Sequence, residues 1–399
     1  MQFASTSKTL LALASVLVSA LVLTACGSTT ASRPPATSVV YRFGVVGNHG
    51  AISQLQLDRP NPVAGVSGRV VQIATSNSDG YALTSDGAVW AWGVASFGEL
   101  GNGSQPAYST RAVKVDFPTG VRIATLANPM PFDGALAIDT QGHAWGWGLN
   151  ADGDLCLSGL TELRPIELAL SGVTLATGAR THSLFDSAGK VYSCGSGAYG
   201  VLGTGSTTNS SVPVPVVGLP GSVTALTSSW EGSGALLSNG SYYNWGYNAA
   251  GQLGNGSTSN SDVPVQVPLS EPVRQVFQGG SGPKNGQSVA ILTNGAVWAW
   301  GDNDRGQLGN GTRTSSDVPL HVDVPKGVSF AAVSSGGFAS YAIDGSGRLW
   351  AWGDNRSGQL GTGSGTAIAT TPVKVGIRAA QVSSTAQNVA AFRKGARST

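Results

Sequence analysis

Ala88-Val-Trp-Ala-Trp-Gly93 is the stretch on which the fold turns, because the chain repeats it. It returns as Ala296-Val-Trp-Ala-Trp-Gly301 and Arg348-Leu-Trp-Ala-Trp-Gly353, with His143-Ala-Trp-Gly-Trp-Gly148 a close variant. Lys190-Val-Tyr-Ser-Cys-Gly195, Ser241-Tyr-Tyr-Asn-Trp-Gly246 and Ser38-Val-Val-Tyr-Arg-Phe-Gly44 are progressively eroded copies. The closing glycines fall at 44, 93, 148, 195, 246, 301 and 353. A period of about 50 residues marks a repeat architecture, so the 399 residues are read as one closed object rather than two or three domains.

Within the copy from Asp302 to Gly353, a Gly/Asn/Asp-rich loop is followed by four short strand-like runs. These are Val318–Val324, Val328–Val333, Ser340–Ile343 and Arg348–Trp352. Asp86-Gly87, Asn239-Gly240 and Asn294-Gly295 precede the Trp-x-Trp strands of sister copies and predict type I′ hairpins. Trp350 and Trp352 are two apart and share a face. Four short strands cannot bury that face alone, but a ring of such sheets can, which predicts an all-β propeller of seven four-stranded antiparallel blades. The C-terminal runs Ala380–Ser384 and Val389–Gly395 stop before any Trp-x-Trp-Gly. The missing strand is Ser38–Phe43, so the two chain ends are expected to complete one blade together.

The loops after Gly246, Gly301 and Gly353 read Tyr-Asn-Ala-Ala-Gly-Gln-Leu-Gly254, Asp-Asn-Asp-Arg-Gly-Gln-Leu-Gly309 and Asp-Asn-Arg-Ser-Gly-Gln-Leu-Gly361. With Phe97-Gly-Glu-Leu-Gly101 they resemble the Trp-Gly-x-Asn-x-x-Gly-Gln-Leu-Gly signature of the RCC1 (regulator of chromosome condensation) repeat family over residues 38–395. The resemblance implies a propeller that binds protein partners. The family includes a nuclear exchange factor and a secreted bacterial inhibitor of β-lactamases, the latter similar in architecture. A plant ultraviolet photoreceptor of the same fold uses clustered tryptophans, but its Gly-Trp-Arg-His-Thr motif is missing here.

The N-terminus carries an address. Lys8 precedes an apolar run, Leu10–Leu23, too short for a comfortable span. It ends in Leu23-Thr-Ala-Cys26, which resembles the lipobox of bacterial lipoproteins. The expected organisation is a signal peptide over 1–25, a flexible Ser/Thr/Ala/Pro-rich tether over 26–37 beginning at lipidated Cys26, the propeller over 38–395 and a tail over 396–399. Such a chain is exported and anchored by lipid to the bacterial cell envelope. Cys156 and Cys194 could pair in that oxidising setting, but they stand where sister copies carry Gly and Trp, which favours small apolar packing.

A formal charge of +2 offers no footprint for nucleic acid. The four histidines, His49, His143, His182 and His321, lack metal spacing and read as surface or turn residues. Gly195-Ser-Gly-Ala-Tyr-Gly200 is followed by a turn and strand rather than a dinucleotide-site helix, and Asn150, Asp152 and Asp154 lack the rest of a calcium loop. No catalytic motif appears, and no cofactor or metal is expected. The expected function is therefore non-catalytic protein binding by a monomer. A glycan-binding envelope module is the alternative, and a hydrolase or lyase with its site in the propeller opening stands third.

Strands alternate in direction, so the loops from second to third run and the signature loops share a face, with the tight hairpins opposite. The former offer Phe132, Arg180, Trp230, Lys284 and Phe338, and the latter Phe97, Tyr199, Tyr247, Arg305 and Arg356. Aromatics with arginine are the composition of interface anchors.

Overall fold

The computed structural model describes residues 39–46, 55–76, 79–106, 108–280, 282, 285–384 and 388–393. The signal, tether, Cys26, His49, Lys284 and the C-terminal tail lie outside the described residues. Seven antiparallel sheets of four strands each follow one another, and the chain is a seven-bladed propeller. Blade 1 begins with Val70–Thr75 and Asp79–Thr84, and blade 6 ends with Arg348–Asp354 and Ile368–Arg378. The first strands of the blades line the axis, since they contact one another at every junction but that of blades 2 and 3, where Val173–Gly178 packs on Gly134–Asp139. Gln381–Ser384 of the last blade contacts Val70–Thr75 of the first.

Both chain ends build blade 7, in the order Leu55–Pro62, Val39–Val46, Asn388–Arg393, Gln381–Ser384. The N-terminus thus supplies two strands where the sequence suggested one. The reason is a shift of frame. The run at Val318–Val324 pairs, as Ser316–His321, with the Trp-x-Trp strand Val297–Gly301 that precedes it, and forms the outer edge of blade 5. One sequence copy therefore straddles two blades, and the frame has to be closed from both termini. An amide clamp adds to the closure: Gln381 Nε2 donates to the Ile73 carbonyl and Gln381 Oε1 accepts from the Ile73 N–H. Outer strands carry Pro165, Pro213, Pro264, Pro319 and Pro372, which lack the N–H needed to recruit another edge.

The hairpins opposite the loop-rich face differ from the type I′ expectation. At Thr84 the Gly87 N–H donates back to the Thr84 carbonyl, Gly87 has φ +83°, and Asp86 is not among the positive-φ residues. This is a three-residue loop, a type I turn closed by a left-handed glycine. Among the described residues, only Ala188-Gly189 of blade 3, with φ +51° and +78°, has two left-handed residues in succession at a hairpin.

Tryptophans hold the blades together. Trp147, Trp245, Trp300 and Trp352 are buried, and each indole N–H donates to a carbonyl in the signature loop of the preceding blade: Glu99, Val201, Gln252 and Gln307, at 2.8–3.0 Å. Each ring lies on the last signature glycine of that loop. A Cβ on Gly254 or Gly309 would come within 2.6 Å of Trp300 or Trp352.

At the junction of blades 2 and 3 this pair is replaced. Cys156 occupies the glycine position, with φ +55° against +60° to +68° for the sister glycines, and Cys194 occupies the tryptophan position. The two are joined as a disulfide. The packing expected from the sequence is thus superseded by a covalent bond. Loss of the indole leaves a gap that two sulfurs bridge.

Candidate binding face

The loops from first to second strand and the signature loops open on one side. The signature asparagines shape them. Asn303 Oδ1 accepts the Leu308 N–H while its Nδ2 donates to the Thr312 and Thr314 carbonyls, and Asn248 and Asn355 repeat the arrangement. Asn150 does the same with Leu155, Leu157 and Gly159. The Asn150–Asp154 run is therefore a repeat turn, and among the described residues no group of three or more metal-type side chains gathers.

Small hydroxyl residues end the axial strands. Thr75–Ser383, Thr177–Ser228 and Ser334–Ser384 bridge blades through hydroxyl pairs at 2.8–2.9 Å. Above them is a cavity with about 50 Å³ open to water, edged by Pro129, Phe132, Arg180, Trp230, Gly279 and Ser384.

At its rim, three of the residues singled out from the sequence meet. The Phe132 and Trp230 rings are 5.2 Å apart, edge to face. The Arg180 guanidinium sits 4.7 Å from the Phe132 centroid and 4.3 Å from that of Trp230. Such cation–π contacts contribute roughly 0.5–1 kcal/mol each at an exposed site, enough to hold the three groups as a preformed unit. Tyr199 and Tyr247 form a second pair, centroids 4.8 Å apart.

The remaining candidates stand alone. Phe97 and Phe338 are half-buried without either cluster, and Arg305 is half-buried with its Nε unpaired. Arg356 is bound to Asp354 through two contacts of 2.8 Å, which engage its Nε and one terminal nitrogen. His182, expected at a surface or turn, is instead buried between blades with Nε2 2.7 Å from Ser233 Oγ, and burial pushes its imidazole down to about 4.

Sequence reasoning passed over the acids of this face. Glu99 stands where sister copies carry Gln252, Gln307 and Gln359. Each of these side chains accepts a backbone N–H two residues earlier, and Glu99 Oε2 accepts that of Phe97. Gln307 also donates to Asp302, which a carboxylate cannot imitate. Burial, with the charge of Asp133 adding, pushes Glu99 up to about 7. Burial also raises Asp79, whose neighbours include Glu99, and lifts Asp154, at the same signature position as Glu99, to about 8. Burial takes Glu231, beside Trp230, to about 7 against the pull of Arg180. The departure of Glu99 and Asp154 from Gln was the available signal.

Residues 188–236, 239–282, 294–343 and 346–392 match the Regulator of chromosome condensation (RCC1) repeat. The RCC1 domain-containing protein RUG3, mitochondrial, of Arabidopsis thaliana is 31% identical over 310 residues, 73% of this chain and 67% of that protein. The chain belongs to the RCC1-repeat family. The matches at 239 and 294 start at hairpin turns and run into the next blade, the same straddling frame seen in the sheets. The Ultraviolet-B receptor UVR8 of Arabidopsis thaliana is similar at 28% identity over 317 residues, 77% of this chain and 70% of the receptor. Among solved structures, Prp20p of Saccharomyces cerevisiae, described with its binding to Gsp1p and histones, shares the fold of this RCC1-repeat protein. The TM-score is 0.74 at 18% identity, covering 89% of this chain and 91% of Prp20p.

Proposed function

We propose that this RCC1-repeat propeller is a non-catalytic protein-binding scaffold, held on the bacterial cell envelope by lipid at Cys26, and that it inhibits or receives an exported protein through its loop-rich face. The observation that carries the binding role is the Phe132–Arg180–Trp230 cluster at the channel mouth. Preformed aromatic and arginine groups lose little freedom on association, and such groups dominate binding energy at interfaces. Prp20p, of the same fold, is described as binding proteins. The export reading draws support from the lipobox-like Leu23-Thr-Ala-Cys26 and from a disulfide, which persists in oxidising compartments.

The test is capture from an envelope extract by the full chain. Replacing Phe132, Trp230 and Phe338 together by Ala is expected to reduce capture at least about tenfold, the loss of one or two anchors of more than about 1 kcal/mol each. Circular dichroism and melting establish that the variant is folded. Undiminished capture would remove the face from consideration. In the same cells, Cys26→Ser is expected to abolish palmitate labelling, and persistent labelling would remove the anchor.

A further inference from the structure

Beside the axial cavity lies a second, smaller one, with about 10 Å³ open to water, roughly the space of one water-sized group. Trp230 and Tyr247 wall it, and Glu231, Gln278 and Gln287 line it. Among the described residues, each of these last three has a buried oxygen with no hydrogen-bond donor: Glu231 Oε2, Gln278 Oε1 and Gln287 Oε1. Gln278 and Gln287 are only 5% and 1% exposed, so bulk water does not serve them.

The amide orientations are fixed by their other ends. Gln287 Nε2 donates to Ser335 Oγ and the Gly336 carbonyl, and turning the amide would set oxygen against oxygen. Gln278 Nε2 donates to Asn244 Oδ1. Asn244 is oriented in turn by Nδ2 donation to the Gln252 and Leu253 carbonyls. The unmet amide oxygens of Gln278 and Gln287 are therefore acceptors and cannot be exchanged for donors, and Glu231 Oε2 joins them as an acceptor when its carboxyl is ionised.

We infer that this pocket receives the ammonium group of a lysine side chain from the partner protein. The ammonium is compact and carries three N–H donors, matching three unmet acceptors; a guanidinium is planar and too large for a one-water space. The indole of Trp230 and the phenol of Tyr247 supply aromatic walls of the kind that attract a cation. Asp152 acts on Glu231, while Arg180, the nearby cation, is stacked on Trp230 and makes no ion pair with Glu231 within 4 Å. A buried acceptor left unmade carries a desolvation penalty, which an arriving lysine recovers.

This inference rests on the face being the binding surface, and its test stands apart from capture. The probes are Nα-acetyl-lysine methylamide, its Nε-acetylated form, methylguanidinium chloride and potassium chloride, at matched ionic strength. The readout is the Trp230 indole N–H resonance of the full chain, assigned by its loss in Trp230→Phe. The lysine probe is expected to shift it saturably, with the Nε-acetylated, guanidinium and potassium arms at least tenfold weaker. Glu231→Gln is expected to weaken the lysine response by about tenfold. Equal responses to the two lysine derivatives, or to potassium, would overturn the inference, because a site filled by water or salt makes no such distinction. An unchanged titration in Glu231→Gln would overturn it too. Should Glu231→Gln fail to fold, the contrast between the lysine derivatives decides alone. Loss of capture in the triple variant combined with no lysine preference would sink this inference while sparing the face; intact capture would sink the face itself.

Discussion

Replacing Cys156 and Cys194 together by Ser should lower stability by about 4 kcal/mol, the loop-closure entropy expected for a cross-link spanning 38 residues. Two effects combine at this junction. The unfolded chain regains the freedom the bond denied it, and blades 2 and 3 lose the cohesion that an indole gives other junctions. The structure also names the repair. Cys156→Gly with Cys194→Trp recreates the glycine–indole pair, and the new N–H would face the Asp154 carbonyl as Trp300 faces that of Gln252. The Gly/Trp chain should melt well above the Ser/Ser chain and be indifferent to dithiothreitol. Denaturant titration with and without reductant measures all three. If the Ser/Ser chain matches the oxidised parent, the bond does not hold this junction.

The second large effect belongs to Glu99. Its carboxyl is raised from an ordinary 4.5 to about 7 by burial. An acid whose folded value lies above its unfolded value contributes stability that is full below about 4.5 and lost as pH climbs through 7. At 1.36 kcal/mol per unit, the loss at pH 8 is on the order of 3 kcal/mol. Glu99→Gln restores the signature amide, keeps the acceptor for the Phe97 N–H and has no proton to lose. The variant should match the parent at pH 4.5, exceed it by on the order of 3 kcal/mol at pH 8, and show a flatter stability profile between. Unfolding in urea across that range checks this. A parent and variant that run parallel from pH 4.5 to 8 would show that Glu99 does not titrate in the folded state.

Blade number, antiparallel order and the inter-blade role of the tryptophans were legible because each depends on a residue type repeated at a fixed interval. The blade boundary was less so. Ser316–His321 stands nearer in sequence to the following strand Phe330–Ser335 than to Val297–Gly301, and only pairing assigns it to the latter. The turn type was misjudged because Asp-Gly and Asn-Gly suit both two- and three-residue loops, and the difference lies in whether the Asp or Asn itself is left-handed. The disulfide was half visible. Both cysteines stood at signature positions, but nothing in one repeat says that its last glycine meets the next repeat's tryptophan.

At the face, Phe132, Arg180 and Trp230 were named from three separate loops, yet their stacking depends on how blades 2, 3 and 4 converge on the axis. Phe338 and Phe97 had the same credentials but are half-buried outside both aromatic clusters. Arg356 pairs with Asp354, a neighbour two residues away that the sequence already contained. The unmet oxygens of Gln278 and Gln287 had no sequence signal, since satisfaction is a property of the assembled network.

The central claim, that the partner sits on the loop-rich side, is tested most directly by site-specific photocrosslinking in intact cells. A benzophenone residue is placed at Phe338 on the loop-rich side or at exposed Asn294 in a hairpin on the opposite side. The account predicts a discrete adduct from position 338 and none from 294. An adduct from 294 with none from 338 would contradict it.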